Sequence, residues 1–147
     1  MQVILLRHGI AVDRTDPDCP ADPDRPLTPE GVARTKAAAR GLRAIGVQPD
    51  CILTSPYARA RETATIAADA LGAGRPEACA ALLPAAPPAD MGAALRARAK
   101  CKCILCAGHE PNLSLLLARL VLGRDGAPTF GSLKKAGAAL VETDLDC

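Results

Sequence analysis

The chain is poor in aromatic residues, because its 147 residues include one Tyr, one Phe and no Trp. Proteins that bind single-stranded nucleic acid stack the bases on such rings, so the composition disfavours this class. Charge of one sign is also scarce, since the formal net charge is +2 and no run of five like charges occurs. We therefore expect no nucleic-acid partner.

Long hydrophobic runs are absent as well. No stretch reaches the roughly 18 apolar residues of a membrane span, and the start, MQVILLRHG, lacks the charged segment and cleavage site of a secretory signal. Seven cysteines are an odd number in a chain long enough to fold without disulfides, which favours reduced thiols. These features predict one domain over residues 1–147, a cytoplasmic location and no membrane partner.

Short apolar runs alternate with helical patterns along the chain. Five segments have the composition of strands: residues 2–6, 51–54, the region near Ala78, 100–108 and 136–143. Four segments have helical spacing: 28–46, 57–72, 91–99 and 111–123. The alternation predicts an α/β fold, a three-layer αβα sandwich with a mostly parallel central sheet.

The first two helices carry start signals. Thr28 with Pro29, and Ser55 with Pro56, each place a capping side chain before a proline. In the first helix, four apolar residues are predicted to share the buried face: Val32, Ala39, Leu42 and Ile45. We also expect Asn112 to cap or line the start of the last helix.

Basic and imidazole side chains follow the predicted strands directly. The only two histidines, His8 and His109, come after QVILLR and CILCAG, and ligands of parallel sheets bind at the carboxyl ends of strands. Arg7 is placed at the same edge, and Arg59 lies in the first turn of the second helix. Guanidinium groups and helix N-termini both bind phosphate oxygens, so this edge is predicted to bind a phosphoryl group.

An imidazole at this position suits nucleophilic chemistry. A neutral ring nitrogen of His8 can attack phosphorus and form a covalent intermediate. The other ring nitrogen then needs an acceptor that fixes the tautomer, and the Gly9 carbonyl is the nearest candidate. We further expect Gly9 to bind substrate by letting the backbone approach the phosphate without a Cβ.

Four motifs occur in the order LLRHGIA, RPLTPEG, TSPYARARET and AGHEPN. Together they resemble the histidine phosphatase superfamily, and the short chain resembles its phosphohistidine phosphatase branch, the SixA-like proteins. The resemblance implies a phosphoglycerate-mutase-like fold, phosphorylation of His8, and phosphoryl binding by Arg7, Arg59 and His109. It implies a metal-independent phosphatase without a cofactor, whose partner is a phosphohistidine-bearing phosphotransfer protein.

One feature of that family is missing. Many members carry a glutamate that protonates the leaving oxygen, whereas here the corresponding region, CAALLPAAPPADM, has leucines and prolines at the expected place. A phosphoramidate P–N bond is more labile than an ester, so a site without a dedicated acid is chemically tolerable for phosphohistidine. Glu110, Asp13 and Asp90 remain candidate proton donors. Two alternatives stay open: a small-molecule phosphomonoesterase, and a non-catalytic phosphate- or phosphoprotein-binding module.

Two other features favour structural roles. CKCILC resembles a metal-binding knuckle, but Cys103 and Cys106 point to opposite faces of a strand, which favours core packing over a zinc or thiol site. Arg61 stands about 200° from Arg59 around the helix and is predicted to be a solvated surface charge. The oligomeric state is not predicted.

Overall fold

A mostly parallel sheet forms the centre of the protein. The computed structural model describes residues 1–123 and 131–144, and within them one sheet contains the strands β1 (Gln2–Arg7), β2 (Cys51–Thr54), β3 (Glu77–Ala78), β4 (Cys103–Gly108) and β5 (Ala138–Glu142). Their order is β3-β2-β4-β1-β5. Only the β1–β5 pair among these strands is antiparallel. The predicted strands and the predominance of parallel pairing are confirmed.

Helices cover both faces of the sheet: α1 (Pro29–Ala44), α2 (Ala58–Leu71), α3 (Pro88–Arg96) and α4 (Asn112–Leu122). Ile4 and Leu6 pack with the alanine-rich faces of α1 and α2, whereas Val3 and Leu5 pack with α3 and α4. This division follows from the alternation of side chains along a strand. The predicted three-layer sandwich is therefore confirmed.

The central strands supply the most buried part of the core. Ile4, Leu5, Ile104 and Leu105 have no solvent-exposed surface. Each such side chain contributes about 1.5–3 kcal/mol relative to exposure. β1 and β4 are therefore rigid supports for the residues at their carboxyl ends.

The ends of α1 agree with the sequence, except for one residue. The Gly31 N–H donates to Thr28 Oγ1 over 3.0 Å, and Gly46 follows the helix with a φ of 81°. Ile45 is 66 % exposed, so its assignment to the buried face is wrong. The helix ends at Ala44, and the chain has left the helical path where Ile45 would otherwise face the core.

Two other helix starts differ from prediction. α2 begins at Ala58 with Tyr57 in the cap position, so Ser55 is not its N-cap. The Ser55 hydroxyl accepts instead from the Tyr57 N–H and faces a histidine. α3 begins at Pro88 rather than Met91, because proline has the backbone geometry of a first helical turn and lacks the N–H that would be unpaired there.

The cysteines of CKCILC separate as predicted. Cys103 packs in the cluster beneath α1 and α2, and Cys106 packs in the cluster beneath α3 and α4. The two sulfurs therefore face different layers and cannot share one ligand. Cys147 lies outside the described residues. Across the described part of the chain, no helix combines the length and apolarity that a membrane crossing requires.

Candidate active site

The two histidines lie side by side at the carboxyl edge of the sheet. β1 and β4 are parallel neighbours whose register pairs Arg7 with Gly108, so His8 and His109 leave the two strands together. The ladder continues one step further, since the His8 N–H donates to the Gly108 carbonyl over 3.0 Å. The ring centroids are 5.0 Å apart. The topology thus brings together residues that are a hundred positions apart in the chain.

A cavity of about 410 Å³ opens at this edge. Four side chains predicted from the sequence line it: Arg7, His8, Arg59 and His109. The other charged residues of its wall are Asp13, Arg14, Arg25, Glu110 and Lys135. Apart from the imidazoles, which are neutral, the wall has four arginines and Lys135 against the two carboxylates of Asp13 and Glu110. Such an excess of positive charge favours an anionic ligand.

His8 is held in one tautomer. Its Nδ1 lies 2.7 Å from the Gly9 carbonyl oxygen, as expected. Because a carbonyl can only accept, Nδ1 carries the proton and Nε2 carries a lone pair. Burial is the main cause that lowers the pKa of His8 to about 4; the Gly9 bond acts in the opposite direction, and the charges of Arg59 and Arg7 lower the pKa further. His8 is therefore neutral at pH 7.

The surroundings of Gly9 show a packing role that the sequence did not predict. It is not among the residues that line the cavity. A Cβ at this position would lie 2.6 Å from Thr35 Oγ1 and 2.9 Å from the Gly31 carbonyl oxygen, so glycine allows the end of β1 to pack against α1. Its N–H donates to Thr63 Oγ1 over 3.0 Å and its carbonyl oxygen lies 2.7 Å from His8 Nδ1, so hydrogen bonds hold Gly9 on both sides of its Cα.

Carbonyl oxygens anchor two guanidinium groups at the cavity. Arg7 Nη1 donates to the Leu133 carbonyl over 2.6 Å, and Arg59 Nη1 donates to the Asp22 carbonyl over 2.8 Å. The Nε atoms of both arginines are buried and have no hydrogen-bond partner among the described residues. Buried donors are normally satisfied, so these N–H groups fit an anion bound in the cavity that both side chains line.

Asp22, which the sequence analysis did not single out, contacts three arginines. Its Oδ1 lies 2.9 Å from Arg25 Nε and 3.0 Å from Arg14 Nη2, and its Oδ2 lies 3.5 Å from Arg59 Nη2. Burial acts to raise the pKa of Asp22, but the hydrogen bonds and charges of Arg25, Arg59 and Arg14 together lower it. Ionised Asp22 therefore orders the cationic wall of the cavity.

His109 is packed between polar and aromatic neighbours. Its Nε2 lies 2.8 Å from Ser55 Oγ, and its ring meets the Tyr57 ring edge-on at 5.5 Å. The Arg59 guanidinium lies 5.0 Å from the centroid of the same Tyr57 ring, which belongs to the only tyrosine of the chain. Burial, and then the neighbouring His8 and Arg59, lower the pKa of His109 to about 3. His109 is therefore neutral at pH 7 as well.

The three candidate proton donors differ in position. Asp90 is exposed in α3 and does not line the cavity. Asp13 lines the cavity, and hydrogen bonds from the N–H and hydroxyl of Thr15 lower its pKa. Glu110 also lines the cavity; its Oε1 accepts from the Leu133 N–H over 3.0 Å, and its Oε2 is buried without a partner in the described residues. Glu110 is thus the carboxyl group best placed to meet a ligand.

The sequence analysis missed three basic residues of the wall: Arg14, Arg25 and Lys135. Arg25 lies in the motif RPLTPEG, which the Ala11–Leu27 bridge brings beside the residues that follow β1. The signal that could have identified Arg25 was therefore its position as a basic residue inside one of the four motifs.

Two smaller expectations have clear outcomes. Arg61 is exposed, as predicted. The Asn112 side chain lines the start of α4 and donates to the carbonyls of Leu83, Pro84 and Ala86. It therefore ties α4 to the loop at the rim of the cavity.

Comparison with known proteins assigns this site to a family. The model of the histidine phosphatase superfamily, branch 1, matches residues 3–82, which carry His8 and Arg59. The chain belongs to the histidine phosphatase superfamily. Membership identifies the protein as a phosphatase, and its fold is that of the phosphoglycerate-mutase-like histidine phosphatases.

Relatives place this histidine phosphatase in the SixA-like branch. It is 30 % identical to phosphohistidine phosphatase SixA of Escherichia coli K12, over 97 % of this chain and 88 % of that protein. An uncharacterized protein of Picosynechococcus sp. PCC 7002 is 39 % identical, over 93 % of this chain and 82 % of that protein. The structure of protein histidine phosphatase SixA complexed with tungstate superposes with a TM-score of 0.87 at 28 % identity, covering 99 % of this chain and 90 % of that one.

Proposed function

We propose that this histidine phosphatase removes phosphoryl groups from phosphohistidine on a protein, through a covalent phospho-His8 intermediate. The observation that carries the proposal is the state of His8 in the cationic cavity. Its Nδ1–H is held by the Gly9 carbonyl, and its Nε2 makes no hydrogen bond within the described residues. The similarity to phosphohistidine phosphatase SixA supports phosphohistidine as the substrate.

In the first step, His8 Nε2 attacks phosphorus while the bond from phosphorus to the substrate imidazole breaks, and the released imidazole takes a proton from solvent. Arg7 and Arg59 provide the fixed positive charge that meets the equatorial oxygens. In the second step, water attacks phospho-His8, releases inorganic phosphate and restores the neutral imidazole. Both steps use groups that the fold has already placed.

The rim of the cavity suits a protein substrate. The connection between β3 and α3 contributes Pro84 to the wall. The Asn112 side chain holds this connection through three carbonyl groups, so the rim is an ordered edge beside the cavity. A phosphohistidine side chain on a phosphotransfer domain can reach such a site from outside. We also propose that the protein acts in the cytoplasm and has no nucleic-acid partner.

A small-molecule phosphomonoesterase is the second candidate, and Glu110 is the observation that favours it. Ester hydrolysis at an alcohol requires a proton on the leaving oxygen. Glu110 lines the cavity with one buried oxygen that has no partner in the described residues. If Glu110 supplies that proton, Glu110→Gln will slow the hydrolysis of alkyl phosphates and leave phosphohistidine hydrolysis nearly unchanged.

The decisive experiment compares two substrate classes with the purified protein. A phosphohistidine-bearing phosphotransfer domain and a panel of phosphomonoesters are incubated separately with the wild type, His8→Ala and the exposed-site control Arg61→Ala. Faster cleavage of phosphohistidine, lost only in His8→Ala, together with an acid-labile phosphoenzyme, supports the proposal. Faster ester cleavage would establish the second candidate. Phosphate binding without turnover of either class would identify a binding module.

A further inference from the structure

The two ring nitrogens of His109 have different surroundings. Nε2 lies 2.8 Å from the hydroxyl oxygen of Ser55, a residue with no solvent-exposed surface. Nδ1 is buried and has no hydrogen-bond partner in the part of the chain that the structure describes. His109 lines the cavity, and its ring centroid is 5.0 Å from that of His8. The protein therefore occupies Nε2 with a hydrogen bond to Ser55 and leaves Nδ1 available to a ligand.

The second contact of Ser55 decides the direction of its bond to His109. Ser55 Oγ accepts from the Tyr57 N–H over 3.3 Å, and His109 Nε2 is the acceptor within reach of the Ser55 proton among the described residues. A proton on Nε2 would give Oγ two donors and leave the buried hydroxyl proton without an acceptor. An unmade hydrogen bond of this kind is unfavourable. Ser55 therefore donates to Nε2.

The direction of this bond determines where the neutral ring carries its own proton. His109 is neutral at pH 7, because burial, His8 and Arg59 lower its pKa to about 3. A neutral imidazole has one N–H, and with Nε2 accepting from Ser55 that N–H is at Nδ1. An N–H attracts a phosphoryl oxygen, whereas a lone pair at the same position repels it.

We propose that Ser55 is a positioning residue that fixes His109 as the Nδ1–H tautomer, so that His109 donates a hydrogen bond to the phosphoryl group. The ligand in this statement rests on the proposed function, but the tautomer is a property of the free protein. Ser55 acts through His109 and does not touch the substrate. A merely structural Ser55 would stabilise the turn before α2 without selecting a tautomer.

Long-range ¹H–¹⁵N spectra of the labelled protein measure the tautomer directly. The chain has two histidines, so a His109→Gln spectrum assigns both rings. The wild type at pH 7 is expected to show His109 protonated at Nδ1 alone. An Nε2–H form of His109 in the wild type overturns the proposal without any variant of Ser55.

Three variants test the role of the hydroxyl. Ser55→Ala should lose the pure Nδ1–H pattern of His109 and lower kcat about tenfold to a hundredfold, by analogy with outer-shell groups that orient ligating histidines. Ser55→Thr should restore both. Ser114→Ala is the matched control, because the Ser114 hydroxyl is buried in α4 and has no partner in the described residues. An unchanged His109 spectrum in a folded Ser55→Ala protein contradicts the proposal.

Titration with inorganic phosphate separates this proposal from the proposed function. A shift of the His109 Nδ1–H resonance on phosphate addition, absent in Ser55→Ala, supports the role of Ser55 even if no phosphohistidine is hydrolysed. If phosphohistidine is hydrolysed but the Nδ1–H resonance does not respond to phosphate, the proposed function stands and the role of Ser55 is refuted.

Discussion

The stability of the protein is expected to fall steeply between pH 6.5 and pH 5, because both of its histidines are buried in the neutral form. The pKa of His8 is lowered to about 4 and that of His109 to about 3, whereas an unfolded chain has a histidine pKa of about 6.5. Below pH 6.5 the unfolded state therefore binds two protons that the folded state excludes. The free energy of unfolding is highest above the unfolded pKa and decreases as the pH falls towards the folded values.

The expected slope follows from the number of protons. One proton contributes about 1.4 kcal/mol per pH unit, so two give about 2.7 kcal/mol per unit and a loss of about 4 kcal/mol between pH 7.5 and 5. This is a large fraction of the roughly 5–15 kcal/mol that stabilises an ordinary domain. Carboxyl groups titrate mostly below this window, and the pKa values of Asp13, Asp22 and Asp50 are lowered further. The window therefore reports mainly on the histidines.

Urea unfolding followed by far-ultraviolet circular dichroism, in phosphate-free buffers from pH 7.5 to 5, measures this slope. His8→Gln and His109→Gln should each reduce it to about half, and the double variant should nearly abolish it. A wild-type slope below about 1 kcal/mol per pH unit would refute the reasoning, since it would mean that the folded protein binds these protons readily. A slope that neither substitution alters would refute it equally.

Two further substitutions have definite expected outcomes. Arg59→Ala should lower kcat/KM for phosphohistidine about a hundredfold or more, because it removes a buried donor from the phosphoryl site; Arg61→Ala, on the exposed side of α2, should leave the rate near the wild-type value. Gly9→Ala should destabilise the protein by about 1–3 kcal/mol in urea unfolding, because its Cβ meets Thr35 and the α1 backbone. Gly41→Ala in α1 is the control, since an added Cβ meets no atom within 4 Å there; equal stability of the two variants would contradict the packing argument.

Much of the fold was predictable because its signals are local. Continuous apolar runs marked β1 and β4, and Thr28 with Pro29 marked the start of α1. The histidines stood out for the same reason, because each follows a strand without an intervening residue. Sequence also predicted the Gly9 carbonyl as the partner of His8, since a contact between adjacent residues needs little knowledge of the rest of the chain.

Contacts between distant segments could not be predicted from local sequence patterns. Asp22 contacts Arg14 and Arg25 of its own loop, but it also meets Arg59 because its segment packs against α2, and nothing around Asp22 in the sequence marks that contact. Ser55 looked like a helix cap, yet α2 begins later and the hydroxyl faces His109. The close packing of Gly9 against α1 was not predicted either. The partner that local signals could not indicate lies on another element in each case: Arg59 of α2 for Asp22, His109 after β4 for Ser55, and Thr35 of α1 for Gly9.

The sequence by itself determined which residues form strands and helices, and which reactive side chains stand at strand ends. The tertiary structure alone decided that β4 lies next to β1 in matching register, and this puts His8 and His109 side by side. Strand order depends on how α1 and α2 cover one face and α3 and α4 the other, which is a property of long-range packing. The same packing removes water from both imidazoles and lowers their pKa values, so the chemistry of the site depends on the fold as well as on its residues.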